Sequence, residues 1–492
     1  MRGRKLKQDV VVNLVFAVIK VVALMWAIRI AGMVFLPAIL GLFLLARRLS
    51  STGAHLFQLG MSQTLLRYVS MSVEDAGLKR SYVLLAVLVW LVLIAVFTPV
   101  FYGFRGPLAN WFFPNTEGNE AVAFWTGMLL LTTVIHFVTH SILVAELRMV
   151  SANVIALMNI SGFLLLALLW RGEDATPVGI LQFQALAMAA LSLGVVVAYL
   201  IELRGAPWLD RRIWGTVSRV FIYYGLPRGA ITFLDMGTLS IGPWLLRTEV
   251  DEAGFLIIAL TLVQAIQTAI KPVVEVASVV TARFVGRKDD DSIGEGVRLM
   301  LGTILYVTLL AMAVIIPWTD HLIRLWLTDV TVIEGVLPYL SILLWGILPF
   351  TIFQGLKGII EMRWFQPLNF YTLLLGVGVQ LVVYKLIETY SGATGAVSVS
   401  ILAGFWTMGV LTLVWVRSYL PPVSYLGLGR LAIVAATLAV LNAWIASRAG
   451  LLGAALAVFL SGAMIVIVFL FLFFTPFVLS FLAFVWSRNI QE

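Results

Sequence analysis

Two arginines stand side by side inside an apolar run, Arg47 and Arg48 of "LGLFLLARRLSSTGAHLFQLG" (40–60). A guanidinium is a planar, permanently charged fork of donors whose geometry matches phosphate or carboxylate oxygens. At bilayer depth each costs about 2.5–3.5 kcal/mol, which some fifteen apolar neighbours at about 0.3–0.6 kcal/mol apiece offset. Such charges normally face a bundle interior or a wet cavity. Lys20, Arg228 and Lys271 also lie within apolar runs, and His55 and Gln58 follow the arginines at helical spacing. A cavity lined by Lys20, Arg47, Arg48, His55, Gln58, Arg228 and Lys271 would attract an anion. The alternative is a helix that ends at Ala46 and leaves both arginines among lipid headgroups. Against it, "LSSTGAHLFQLG" keeps its polar residues on one helical face.

Two carboxylates share these runs, Asp235 and Glu275. Lys271 and Glu275 are one turn apart and form either an internal ion pair or a partner-changing pair that couples movement to an ion gradient. Pro227, Pro243, Pro272 and Pro349 each remove a backbone hydrogen bond and imply bends. Pro227 and Pro272, beside the expected cavity, are the candidate hinges. His136 and His140 have the i, i+4 spacing of metal ligands, yet no carboxylate neighbours them, and a hydrogen-bonded pair is the expectation. The chain has no cysteine, no Gly-rich phosphate loop and no GxSxG turn, and "GRKDDD" (286–291) reads as a solvated loop. Neither enzyme chemistry, a metal nor a cofactor is expected.

The elements that position these residues follow from composition. The 492 residues are 61% hydrophobic and 12% charged, with a mean hydropathy of +1.02. That excludes a soluble protein, and the net charge of +8 is spread over short loops rather than on a face that would bind nucleic acid. Apolar runs of spanning length fall near 10–30, 37–60, 81–104, 121–145, 151–170, 177–202, 220–246, 254–280, 296–317, 336–356, 367–387, 394–416, 430–447 and 451–486. The fold class is therefore an all-α polytopic membrane protein of about fourteen spans. Placing the amino terminus inside puts most Lys and Arg on the cytoplasmic side and most loop acids outside. Both termini are thus expected in the cytoplasm.

The Arg-rich connection 204–219 divides twelve spans into lobes 1–203 and 220–417, and 418–492 adds two more helices. Shifting the second run by 213 positions onto the eighth, "AGFLIIALTLVQAIQTAIKPVVEVAS" (253–278), supports an internal repeat. Gly41 then meets Gly254, Arg48 meets Thr261, Ser51 meets Gln264, and Gln58 meets Lys271.

These residues carry a resemblance. "WAIRIAGMVFLPAILGLFLLARRLSSTGAHLFQLGMSQTLLRYVS" (26–70) resembles the opening of polysaccharide-transport flippases: Gly32 in the turn, Gly41 with Phe43, then Leu59-Gly60-Met61-Ser62, and Arg67-Tyr68. "YYGLPRGAITFLDMGTLSIGPWLL" (223–246) is similar to the family's Tyr-Gly-hydrophobic-Pro segment, with Asp235 downstream. The resemblance implies the multidrug/oligosaccharidyl-lipid/polysaccharide exporter fold, in the O-antigen type of lipid-linked oligosaccharide flippase. Its implied cargo is a polyprenyl-diphosphate-linked glycan moved by alternating access for surface polysaccharide assembly (lipopolysaccharide or exopolysaccharide). Its implied setting is the bacterial inner membrane, with membrane lipids and a polysaccharide polymerase or glycosyltransferases as partners and no nucleic acid. Asp235 and Glu275 would modulate release. The apolar "AGMVFLP" turn and the missing Arg-Asp and Asp-Ala-Phe signatures argue against the lipid II branch. A cation-coupled multidrug exporter and a non-transporting assembly subunit are the alternatives.

Overall fold

The computed structural model describes residues 2–72, 75–114, 119–205, 211–265, 290–364, 367–419 and 425–447. Among them there is no strand, and eight helices are long and apolar enough to cross a membrane. In chain order the helices are α1 (Arg2–Val34), α2 (Pro37–Phe57), α3 (Met61–Met71), α4 (Ala76–Gly103), α5 (Arg105–Phe112), α6 (Asn119–Ala145), α7 (Met149–Leu157), α8 (Phe163–Arg171) and α9 (Pro177–Glu202). Then come α10 (Arg211–Val220), α11 (Leu226–Leu245), α12 (residues 250–265), α13 (Asp290–Trp326), α14 (Val330–Leu343), α15 (Ile347–Arg363), α16 (Leu368–Trp415) and α17 (Tyr425–Ala446). This is an all-α polytopic membrane protein, as composition requires. The apolar run 451–486 lies outside the described residues, as do Lys271, Pro272 and Glu275.

Local chemistry sets the boundaries. Pro37 opens α2, where its missing N–H is one the first turn leaves unbonded anyway. Asp75 caps α4 by accepting from the Leu78 N–H at 2.8 Å, and Thr176 caps α9 by accepting from Gly179. Gly392, in the left-handed region at φ 71°, lets the chain turn within α16 between the two spans read there. Two single π-helical turns interrupt long helices, Met158–Gly162 between α7 and α8 and Phe221–Gly225 ahead of α11. Such turns shift the hydrogen-bond ladder and often occur at functional sites. The second directly precedes Pro227, whose absent N–H already breaks the ladder there.

The chain packs as two compact units, Gln8–Ile258 and Ala259–Glu492 with Met1–Lys7. In the first, α6 is the central helix, packed against α2, α3, α4, α5, α7 and α9, with 78% of its spanning window buried. Leu131, Val134, Ile135 and Val138 of α6 sit in a cluster with Tyr82, Val83 and Trp90 of α4. α11 belongs to this unit because it lies on α2 and α3. In the second unit, α15 packs on α16 and α13, and α17 on α13. Phe350 stacks on Phe405 with centroids 4.2 Å apart, and the buried Trp318 indole donates to Asn442 Oδ1 at 2.9 Å.

Candidate functional site

α2 reaches Phe57, so Arg47 and Arg48 lie at its middle and not beyond its end. Residues 37–46 before them and 49–57 after them are helical, and those at 40–46 are all buried. The helix ends at Gln58. Leu59 (φ 49°) and Gly60 (φ 73°) are both left-handed, and α3 restarts at Met61. The polar stripe read as one continuous helical face is therefore carried across a break. Hydrogen bonds bridge it: Gln58 Nε2 lies 3.2 Å from His55 Nδ1, and Ser62 donates to Gln58 Oε1.

The stripe faces α11. Arg48 Nε donates to Ser240 Oγ at 3.0 Å, Thr52 Oγ1 is 2.6 Å from the same oxygen, and Gln63 Nε2 donates to Thr232 Oγ1 at 2.9 Å. Asp235 is buried on α11 between the two contacts. Arg47 points to the other side, where it donates to the Ile160 carbonyl at 2.9 Å and lies 5.8 Å from the Phe43 ring. Ile160 belongs to the first π turn. Its neighbour Asn159 is fully buried, with Nδ2 2.8 Å from His136 Nδ1, and donates to Ser192 Oγ at 3.1 Å. Consecutive residues of one π turn thus serve Arg47 and a buried polar cluster in the unit's interior.

Lys20 donates to Asn153 Oδ1 at 3.1 Å, and Asn153 in turn donates to Asn13 Oδ1 at 2.7 Å. Arg228 stacks on Tyr224 at 3.9 Å, at the amino-terminal end of α11. From Arg228 to Ser240 is twelve residues, roughly 18 Å along a helix. The structure therefore turns Arg48 toward α11, which also carries the buried Asp235, and Arg47 toward the first π turn, keeps His55 and Gln58 together at the end of α2, sets Lys20 of α1 against Asn153 of α7, and holds Arg228 in the first turn of α11. The partners Ser240, Ile160 and Asn159 were not singled out from sequence. Asn153 and Asn159, amides inside an apolar span, were the available signal.

One tight contact holds this arrangement. A Cβ on Gly41 would fall 1.9 Å from the Val250 carbonyl oxygen, and one on Gly254 would fall 2.5 Å from Gly41 Cα. Only glycine permits that approach. Gly41 and Gly254 are the first pair matched by the 213-residue shift.

The sequence profile of the MatE family matches residues 255–385. No curated protein matches the chain by sequence. Among solved structures, the lipid II flippase MurJ in an inward closed conformation aligns over 99% of this chain and 99% of its own, with TM-score 0.63 and 13% identity. An inward-facing multidrug resistance MATE transporter aligns over 82% of this chain and 93% of its own, with TM-score 0.59 and 15% identity. A transporter from Pyrococcus furiosus, described as having a binding pocket of reverse polarity, covers 84% and 95%, with TM-score 0.56 and 14% identity. The chain has the fold of the multidrug/oligosaccharidyl-lipid/polysaccharide exporter superfamily, the one its motifs resemble.

Proposed function

We propose that this protein is a flippase that moves a polyprenyl-diphosphate-linked oligosaccharide across the cytoplasmic membrane by alternating access, with Arg47 and Arg48 holding the diphosphate. One observation carries the reading: Arg47, in the middle of an apolar helix, is met by a backbone carbonyl and a ring and by no carboxylate among the described residues. A cation in an apolar setting with only neutral partners is undercompensated, and a guest anion would supply the missing charge. Lys20 and Lys271 add positive potential, and the hydroxyls of Thr52 and Ser240 offer hydrogen bonds to sugar or phosphate. Asp235, between Thr232 and Ser240 along α11, would compete with the anion for Arg48 and so promote release. Glu275 would act in the same sense, and Pro227 and Pro272 would absorb the bending. The whole-chain alignment to a lipid II flippase supports a lipid-linked cargo.

Export of cationic drugs is the second reading, favoured by the MatE match at 255–385. Such an exporter needs acids for its substrate, and every carboxylate of residues 10–202 lies near a helix end. The deciding experiment replaces Arg47 and Arg48 with Gln in a strain that depends on the gene. Lipid-linked glycan should accumulate on the cytoplasmic leaflet at normal protein levels. Unchanged surface glycan would remove these arginines from the mechanism.

A further inference from the structure

Arg67, at the end of α3, and Arg228, in the first turn of α11, converge on one aromatic ring. The Arg228 guanidinium lies 3.9 Å and that of Arg67 4.8 Å from the centroid of Tyr224. The two cations are therefore no more than about 9 Å apart, close enough to repel each other. Neither meets a carboxylate among the described residues.

The platform beneath them is built. Tyr68 meets Tyr224 edge-on at 5.4 Å and stacks on Tyr82 at 5.5 Å, and Tyr82 stacks on Phe221 at 6.2 Å. Backbone contact sets the register. A Cβ on Gly60 would fall 1.8 Å from the Gly225 carbonyl oxygen, and one on Gly229 would fall 2.7 Å from the Gly60 nitrogen. The α2–α3 break and the π turn before α11 are thereby locked together, and residues 161 positions apart in the chain share a ring.

We propose that Arg67 and Arg228, paired on Tyr224, form a second anion site that receives the phosphate of a lipid-linked substrate before it reaches Arg47 and Arg48. This rests on the flippase reading. A divalent or trivalent phosphate anion relieves the repulsion between the guanidiniums and satisfies both donor forks. The site has an apolar flank: Leu66, Ile222, Tyr223 and Leu226 are exposed, Tyr223 to 80%. That combination fits a phosphate on an apolar tail better than a soluble phosphate. α11 then carries one anion station at its start and another roughly 18 Å further on, where Arg48 meets Ser240.

The test uses the full chain in phosphatidylcholine nanodiscs, with farnesyl diphosphate as probe and substrate flipping measured in parallel. Arg67→Gln and Arg228→Gln should each weaken farnesyl diphosphate binding about tenfold. In flipping they should raise the half-saturating substrate concentration while the maximal rate holds. Arg67→Lys, which keeps the charge but not the fork, should recover part of the affinity. Wild-type affinity in both Gln variants overturns the proposal. Equal affinity for inorganic pyrophosphate overturns the lipid-linked part, because the tail would then contribute nothing. Loss of the difference between wild type and variants when phosphatidylglycerol is added assigns the site to bulk lipid and overturns the substrate reading. The two ideas fail separately. If Arg48→Gln stops flipping while Arg67→Gln changes neither binding nor flipping, this site falls and the flippase stands. If Arg47→Gln and Arg48→Gln flip normally while Arg67→Gln weakens binding, the site survives and the central mechanism falls.

Discussion

The unit Gln8–Ile258 holds its cations in two ways, and the contrast separates scaffold from site. Where α4 begins and α6 and α9 end, Lys79 pairs with Glu146 at 2.8 Å, Tyr199 donates to the same carboxylate at 2.7 Å, and Arg148 makes a two-pronged contact with Glu202 at 3.0 and 2.6 Å. Each of these charges has an opposite charge beside it. In the middle of α2, Arg47 has a carbonyl and a ring, and Arg48 a serine hydroxyl. The paired cluster gains its own neutralisation on folding and asks nothing of a ligand. Arg47, met by a carbonyl and a ring, is the cation that breaks this pattern, and the proposed binding role of α2 rests on it.

The largest expected effect comes from removing the two arginines of α2. Arg47→Gln with Arg48→Gln should cut flipping roughly tenfold or more while the folded protein loses little stability, since two half-buried cations leave an apolar helix. A thermal melt beside the flipping assay tests both halves, and a large loss of stability would mean that these arginines are scaffold after all. Gly41→Ala attacks the backbone contact that positions α2. A Cβ there has no room beside Val250, and overpacking of this kind costs about 1–3 kcal/mol. The yield of monodisperse protein in detergent should fall, and flipping per folded molecule should fall with it.

The paired cluster should respond in stability alone. Glu146→Gln should lower unfolding free energy by about 1 kcal/mol, read from a denaturation curve, with flipping per folded molecule unchanged. pH gives the same comparison without mutation. Burial pushes the Glu146 carboxyl up, but the hydrogen bonds from Lys79 and Tyr199 and the Lys79 charge outweigh it and hold the group below its ordinary value of 4.5. A depressed carboxylate stabilises the fold fully above that value, and its contribution is lost as pH falls through the lower folded-state value. Melting temperature should therefore drop below about pH 4.5 more steeply in wild type than in Glu146→Gln. The smallest effect is that of Arg148→Gln. Its pair with Glu202 is about half exposed, and a few tenths of a kcal/mol is the expected cost.

Much of the architecture was legible in the residues. Apolar runs marked the spans because a helix in lipid must satisfy its own backbone and cover itself with hydrocarbon. Twelve of the fourteen runs coincide with helices or helix pairs found here, and the eighth begins as expected in α12. Arg47 and Arg48 declared themselves because charge in such a run is costly. The Gly41–Gly254 match was visible as a sequence shift, although its meaning as a physical contact was not.

Other features depended on register and partner. The ladder shifts at Met158–Gly162 and Phe221–Gly225 arise from how neighbouring helices pack, and no local propensity marks them. Leu59 in a left-handed conformation is costly by itself and is held there by the contact of Gly60 with Gly225 and Gly229. Sequence alone determined that this chain crosses a membrane many times, since that follows from the transfer energies of its side chains, and it marked Arg47 and Arg48 without deciding their depth. Only the tertiary structure decided that Arg48 meets Ser240, 192 residues away, and that Arg228 shares a ring with Arg67. Those pairings depend on which helix faces which, and that is set by close packing over the whole unit.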